Sequence, residues 1–412
     1  MPTNLNSCYD KYIVVKEENP MLEKIYKNID ENYEEMVNIR RYLHENPEES
    51  FKEFKTAAYI AQYYDELQIP YEKNVGGNGV IATLKGNKPG KSIGLRADFD
   101  ALPIQDQKDV PYKSKNPGVM HACGHDGHTA TLLVLAKVMK QFQENLHGTI
   151  VFIHQHAEEV PPGGAKPILE SGLLDNVDAI FGNHLWATTP LGTIETRKGP
   201  FMVGADKFEI KIKGKGGHGG YPQFTKDALV IGAEVVTQIQ NILSRQLDPL
   251  KTAVITIGKF TAGTTFNVIA DTATLVGTVR YLDTAVQKQV MDDLEQIIKG
   301  VCLSYGATHE LDYEKGFPPV INHENEATTV IEASKNIPEA NEANEIKPQM
   351  AGEDFAFYLQ EKPGAFFFTG AQIEGHDYPH HHPMFDFNEK AMPIAAKMLI
   401  GTYMNYQNKF EK

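Results

Sequence analysis

Met120-His121-Ala122-Cys123-Gly124-His125-Asp126-Gly127-His128 runs without a break into 129–142, where Leu132, Leu133, Leu135, Ala136 and Met139 recur at helical spacing. Imidazoles, a thiol and a carboxylate crowd between His121 and His128. Core packing asks for no such mixture, whereas thiolate and imidazole together suit zinc and its neighbours. Upstream, 92–97 reads as a buried strand ending at Asp98-Phe99-Asp100. Downstream, 149–153 is a second apolar strand, ending at 154–159, and Ile180-Phe181 is a shorter one ending at Asn183-His184. Polar clusters at the C-terminal ends of strands, with helices between, predict an α/β sheet whose site lies at those ends.

Further out, Leu22, Ile25, Ile29, Met36, Ile39 and Leu43 predict one helix over about 21–43, stopped by Pro47. A second helix follows over 54–67. Gly76-Gly77-Asn78-Gly79 reads as a turn between two short strands. A phosphate cradle would need a Lys-Ser/Thr and a helix after those glycines, and neither follows. The middle of the chain changes rhythm. Phe208, Ile210 and Ile212 alternate with Lys207, Glu209 and Lys211, a strand with one wet face. Helices over 227–246 and 285–305 and strands over 254–260, 272–281 and 309–313 complete a β-α-β-β-α-β order, that of a ferredoxin-like unit. We place it at 204–317, inserted in a larger, discontinuous domain made of 1–203 and 318–412. The larger unit resumes through 328–334, 351–359, 365–369 and a C-terminal helix over 390–406.

The 412 residues exceed one simple core, so two domains are expected. A net charge of -14 argues against a nucleic-acid partner, which would favour a basic face. Cys8, Cys123 and Cys302 are too scattered for a disulfide framework, so a reduced, cytoplasmic setting is expected. The opening residues are polar, with no apolar signal-peptide core, and 1–19 read as a loose tail or cap. No run approaches the roughly 18 consecutive apolar residues of a membrane span.

Cys123 and His125, one residue apart, can face a single metal from a turn. In Glu158-Glu159, neighbours at a strand end point opposite ways. One carboxylate can bind metal while the other takes a proton from water. His184 and His381 complete a ligand set of Cys, His, Glu, His and His. Five ligands exceed one structural zinc, and a two-metal site with a bridging ligand accounts for the surplus. Taken singly, each residue reads more readily as core or surface than as a ligand: Glu-Glu as a solvated pair, His380–His382 as decoration of a proline-bounded loop. Their conjunction is what points to metal.

These motifs carry a resemblance. Arg96-Ala97-Asp98-Phe99-Asp100-Ala101-Leu102-Pro103 is similar to the signature of M20-type amidohydrolases, such as hippurate hydrolases, auxin-conjugate amidohydrolases and N-acetyldiaminopimelate deacetylases. Residues 120–130 resemble their metal motif, 43–48 the end of their N-terminal helix, and 214–219 and 263–269 their small domain. The resemblance spans about 30–410. It implies a zinc-peptidase-like fold with an inserted lid, or dimerisation, domain. It implies metal ligation by Cys123, His125, Glu159, His184 and His381, the last chosen because the family pattern is His-x-Pro and Pro383 fixes the register. It implies Glu158 as general base. Asp100 resembles an acidic residue that orients a ligand imidazole, and Asp98 lies where distant relatives have a ligand histidine. His218 and Asn267 resemble lid residues that hydrogen-bond the oxyanion or the substrate carboxylate. Arg280 offers a third donor, or is a solvated strand residue. The chain departs from the pattern at His156, where proline is common, at Gln223, where many lids carry histidine, and at Gly352, where serine is common.

The expected activity is metal-dependent hydrolysis of an N-acyl amino acid into a carboxylic acid and a free amino acid. Two divalent ions per subunit would serve it, zinc or manganese, with nickel or cobalt also admitted by the donors. A homodimer through the small domain is expected. A dipeptidase or aminopeptidase, or an N-acetyldiaminopimelate-type deacetylase, would use the same machinery. A catalytically inactive metal-binding protein would have no use for Glu158.

Overall fold

The computed structural model describes residues 20–341 and 343–409. Cys8, the opening residues and the expected tail over 1–19 lie outside them.

The chain begins with α1 (Pro20–Glu31) and α2 (Tyr33–Glu45). One helix was expected here, and the break falls at Asn32, whose ψ of 13° leaves helical geometry. Its side-chain amide donates to the Asn28 carbonyl at 2.8 Å. This is the local competition with the backbone that makes asparagine a poor helix interior. α3 (Phe54–Leu67) follows, then β1 (Tyr71–Val75) and β2 (Gly79–Lys85), antiparallel across the expected glycine turn. β3 (Lys88–Asp98), α4 (His125–Gln141), β4 (His147–Gln155), α5 (Ala165–Glu170), β5 (Ala179–Trp186), β6 (Ile194–Thr196) and β7 (Gly199–Met202) come next. α4 starts four residues earlier than periodicity indicated, because Gly124 takes φ 101° and turns the chain so that His125 opens the helix.

The next stretch is β8 (Gly204–Lys213), a short β9 (Gly217–His218), α6 (Ala228–Asn241) with a π turn to Gln246, β10 (Ala253–Ala262), a short β11 (Val268–Ile269), β12 (Thr272–Tyr281), α7 (Thr284–Ser304) and β13 (Thr308–Glu314). The chain ends with β14 (Val320–Asn322), α8 (Glu324–Ser334), β15 (Asn344–Glu345), α9 (Ala356–Glu361), β16 (Gly364–Gly370) and α10 (Ala391–Asn408). Of 351–359, only the end is helical.

An eight-stranded mixed sheet has the order β1-β2-β4-β3-β5-β16-β6-β15. Its central strands β4, β3, β5 and β16 are parallel. Both faces are covered, so these strands read as nearly continuous apolar runs. Ile150 and Phe152 of β4 enter one core with α1, α2, α4 and α10, whereas Val151 and Ile153 enter the other with α5 and α9. The second sheet has the order β10-β12-β8-β13, fully antiparallel, with α6 and α7 packed on one face around their own core. Phe208, Ile210 and Ile212 are buried there, while Lys207, Glu209 and Lys211 are exposed, as the alternation predicted. The β-α-β-β-α-β order and this strand order make a ferredoxin-like unit inserted in an α/β zinc-peptidase-like fold. Its first strand is central rather than at an edge, and the edges are β10 and β13. Among the described residues, no helix is long and apolar enough to cross a membrane.

Candidate metal centre

Four segments converge at the C-terminal ends of the parallel strands. β3 ends at Asp98 and hands on to Asp100. The Gly124 turn presents Cys123 and His125. β4 ends at Gln155 and turns through Ala157 into Glu158-Glu159, and β5 carries His184. His381 arrives from the 371–390 loop, its N–H donating to the Ala122 carbonyl at 2.8 Å.

The donor atoms of Cys123, His125 and His184 lie within 4.8 Å of one another, as do those of Cys123, Glu159 and His381, and those of His125, Glu158 and Glu159. Cys123 Sγ is 3.3 Å from His184 Nε2. Glu159 Oε1 lies between His381 Nε2 at 3.3 Å and His125 Nε2 at 3.8 Å. The five expected ligands and Glu158 thus form one cluster. Of the other two histidines in the motif, His128 borders the cluster, its donor atom within 4.8 Å of those of Asp98 and His125, whereas His121 groups with none of these donors among the described residues. His121 is buried, and neither of its ring nitrogens has a hydrogen-bond partner among the described residues, while His128 is held by Asp98 at 2.6 Å and by the Leu185 N–H at 2.9 Å.

The cluster fits a divalent cation. His125 Nε2 is buried and has no hydrogen-bond partner among the described residues, although it points at carboxylates. Burial opposes charge on His125, yet Asp98, Asp100 and Glu159 outweigh it and push the imidazole up to about 10. Burial, then Glu159, Glu158 and Asp98, pushes the Cys123 thiol well above its ordinary value. A pocket that draws protons onto a histidine and a thiol attracts positive charge, and a bound cation reverses this by holding both as ligands. The donor set of thiolate, imidazole and carboxylate is that of zinc and its neighbours.

Around these donors lies a second layer. Asp100 is buried, and its Oδ1 and carbonyl oxygen lie 3.1 and 3.0 Å from His125 Nδ1. Its Oδ2 accepts from Ser50 Oγ at 2.7 Å and from the Glu159 N–H at 3.0 Å. Arg96, fully buried in β3, spans Asp98, Glu353 and Asp354 and also donates to Gln155 at 2.9 Å. Burial pushes Glu353 up to about 8, against the pull of Arg96. Burial, reinforced by Glu353, Glu159 and Asp354, also raises Glu158 well above the carboxylate range. The sequence reading assigned no role to Arg96, Glu353 or Asp354. An arginine inside an apolar strand was the available signal, since a buried guanidinium requires carboxylate partners.

The structure does not bring the three expected substrate residues to this cluster. His218 is exposed on β9, its Nδ1 accepting from the Gly220 N–H at 3.0 Å and its ring packing on Tyr221. Asn267 is exposed beside it, its carbonyl accepting from Gly219. Arg280 is half-buried and donates to Thr278 Oγ1 of its own strand and to the Val279 carbonyl.

Residues 94–405 match the model of Peptidase family M20/M25/M40. YhaA of Bacillus subtilis (strain 168), which carries an amidohydrolase name, is 54% identical over 386 residues, 93% of this chain and 98% of that protein. The N-acyl-L-amino acid amidohydrolase of Geobacillus stearothermophilus is 43% identical over 305 residues, 73% of this chain and 82% of that protein. The crystal structure of Bacillus subtilis YXEP, described as a dinuclear metal binding peptidase from the M20 family, superposes with a TM-score of 0.80. It is 35% identical and covers 92% of this chain and 99% of that one. Family match, fold and clustered donors agree: the chain belongs to Peptidase family M20/M25/M40 and is a metal-dependent amidohydrolase.

Proposed function

We propose that this enzyme cleaves the amide bond of N-acyl amino acids of the hippurate type, releasing a carboxylic acid and a free amino acid. The observation that carries the reading is the convergence of Cys123, His125, Glu159, His184 and His381 around one space, with Glu158 at its edge. Those five residues would hold two divalent ions, zinc or manganese, with nickel or cobalt also suited to the donors. When bound, the ions supply Lewis-acid polarisation of the scissile carbonyl and acidify the attacking water. Glu158, 6% exposed among other carboxylates, takes a proton from that water and delivers it to the leaving amine nitrogen. Asp100 fixes the ring of His125 with Nε2 toward the ligands. His218 and Asn267 hydrogen-bond the oxyanion or the substrate carboxylate, and Arg280 adds a donor to the carboxylate side.

In this reading 204–317 is a lid domain and 1–203 with 318–412 the catalytic domain. The enzyme is a cytoplasmic homodimer joined through the lid. Support for the dimer is the open β10 edge and the exposed Leu250, Phe260 and Phe266 of that unit. His218, exposed and turned to its own loop, then reaches the partner's site.

The test is a panel of N-acyl amino acids, dipeptides and N-acetyldiaminopimelate assayed with added Mn²⁺, Co²⁺ or Zn²⁺. Cleavage of N-acyl amino acids is expected. Cleavage of dipeptides alone would give a dipeptidase, and a metal-loaded protein that cleaves nothing would be a binding protein.

A further inference from the structure

The turn that delivers Glu158 is not self-supporting. Ala157 takes φ 52°, a left-handed conformation that is unfavourable for a non-glycine residue and persists only where the surroundings impose it. Its N–H is buried and donates at 2.9 Å to Oε1 of Glu53. The same oxygen accepts the N–H of Phe51 at 2.8 Å, and Phe51 also has a left-handed φ, 66°. The other oxygen of Glu53 accepts from Asn78 Nδ2 at 2.8 Å. Glu53 itself is wholly buried.

Glu53 stands at the N-terminus of α3, where an acidic residue ordinarily caps the helix. It does not do so here, because its side chain makes no capping bond. Glu48 takes that part, its Oε2 accepting from Lys55 N, Thr56 N and Thr56 Oγ1. The Glu53 carboxyl is therefore committed to the glutamate turn. The far end of that turn is held from the same loop, since Ser50 Oγ donates to the Asp100 oxygen that accepts the Glu159 N–H.

We propose that Glu53 is a positioning residue for the hydrolytic reaction: its carboxyl oxygen locks Ala157 in the left-handed turn that aims Glu158. This rests on Glu158 being the general base. Removing the acceptor leaves the buried Ala157 N–H and the part-buried Phe51 N–H unpaired at residues with left-handed φ, a state the turn escapes by relaxing. A displacement of about 1 Å at a reacting group costs about 10²-fold in rate.

The experiment compares the full-length enzyme with E53D, E53Q and E158Q. It measures kcat and KM on an N-acyl amino acid, and bound metal by elemental analysis. E53D keeps a carboxyl but withdraws it by one methylene. Its kcat should fall about 10–10²-fold, with KM within about twofold and metal per subunit unchanged. E53Q keeps one oxygen for the same two N–H groups and sets its NH2 toward Asn78, whose amide can turn its own oxygen to accept, so E53Q should stay within about threefold of the wild-type kcat. E53D at the wild-type kcat overturns the inference. So does E53Q as slow as E53D, which would make charge rather than acceptance the cause, and so does a kcat loss matched by lost metal. E158Q at the wild-type kcat would remove the base assignment and this inference with it. An inactive E158Q beside a fully active E53D overturns this inference alone.

Discussion

Asp100 Oδ1 lies 3.1 Å from Nδ1 of His125, and this pairing leaves Nε2 facing Glu159 Oε1 across 3.8 Å. A carboxylate that fixes the tautomer and ring plane of a ligand histidine typically contributes about 10–100-fold to metal affinity. Asp100→Ala should therefore weaken metal binding by about that factor, read by competition with a chromogenic chelator. Wild-type affinity in the variant would show that the Asp100 backbone carbonyl, 3.0 Å from the same nitrogen, is enough to orient the ring.

The two adjacent glutamates should separate cleanly. Glu158→Gln should keep its metal and its KM and lose about 10²–10⁴-fold in kcat, the usual contribution of a positioned base. Glu159→Gln should lose metal, because Oε1 stands between two imidazoles. Measuring metal stoichiometry beside kcat in both variants decides the roles, and the reverse pattern would exchange them.

Part of the acid sensitivity of the fold should come from His154. It is buried in β4, its Nε2 lies 2.8 Å from the Tyr64 hydroxyl, and burial lowers it from 6.5 to about 3. The unfolded chain takes up this proton near pH 6.5 and the folded chain does not, so between 6.5 and about 3 the unfolded state binds more protons. The stability associated with neutral His154 is complete above pH 6.5 and declines as pH falls toward 3, by up to about 1.4 kcal/mol per pH unit. His154→Gln cannot titrate. Urea unfolding at pH 7.5, 6 and 5 should give a shallower decline in the variant, and parallel curves would show that His154 is charged in the folded protein or shielded in the unfolded one.

The clustering of the candidate donors was legible in the sequence where the residues are neighbours. Cys123, His125 and the Glu158-Glu159 pair announce themselves by spacing, and the fold followed from where those clusters sit on apolar strands. His184 and His381 were less plain, and only the family pattern separated His381 from His380. The layer behind them was hidden because its partners are remote: Arg96 meets Asp354 across 258 positions and Glu53 meets Ala157 across 104. Nothing in a periodic pattern reports such pairings. The short strands β6, β7, β14 and β15 were missed for another reason, since two to four residues carry no period. The split between α1 and α2 was invisible because the apolar positions continue in phase across Asn32.

Recognition of the substrate carboxylate is the sharpest test of specificity. His218 and Asn267 sit together on the exposed end of the inserted unit, paired through β9 and β11, and neither side chain is consumed by the core. Arg280 bonds Thr278 Oγ1 and the Val279 carbonyl through Nη1, one of the three donor nitrogens of its guanidinium. Donors of this kind discriminate strongly, because a substrate lacking the group leaves them unpaired, whereas an apolar acyl pocket discriminates by only about 10–200-fold per methylene. Hippurate should therefore be cleaved, and its carboxamide should lose at least about 10²-fold in kcat/KM. His218→Ala should narrow that gap as well as slow the reaction, which distinguishes carboxylate recognition from oxyanion support alone. Equal kcat/KM for hippurate and its carboxamide would show that the carboxylate goes unread and would favour an aminopeptidase-like specificity.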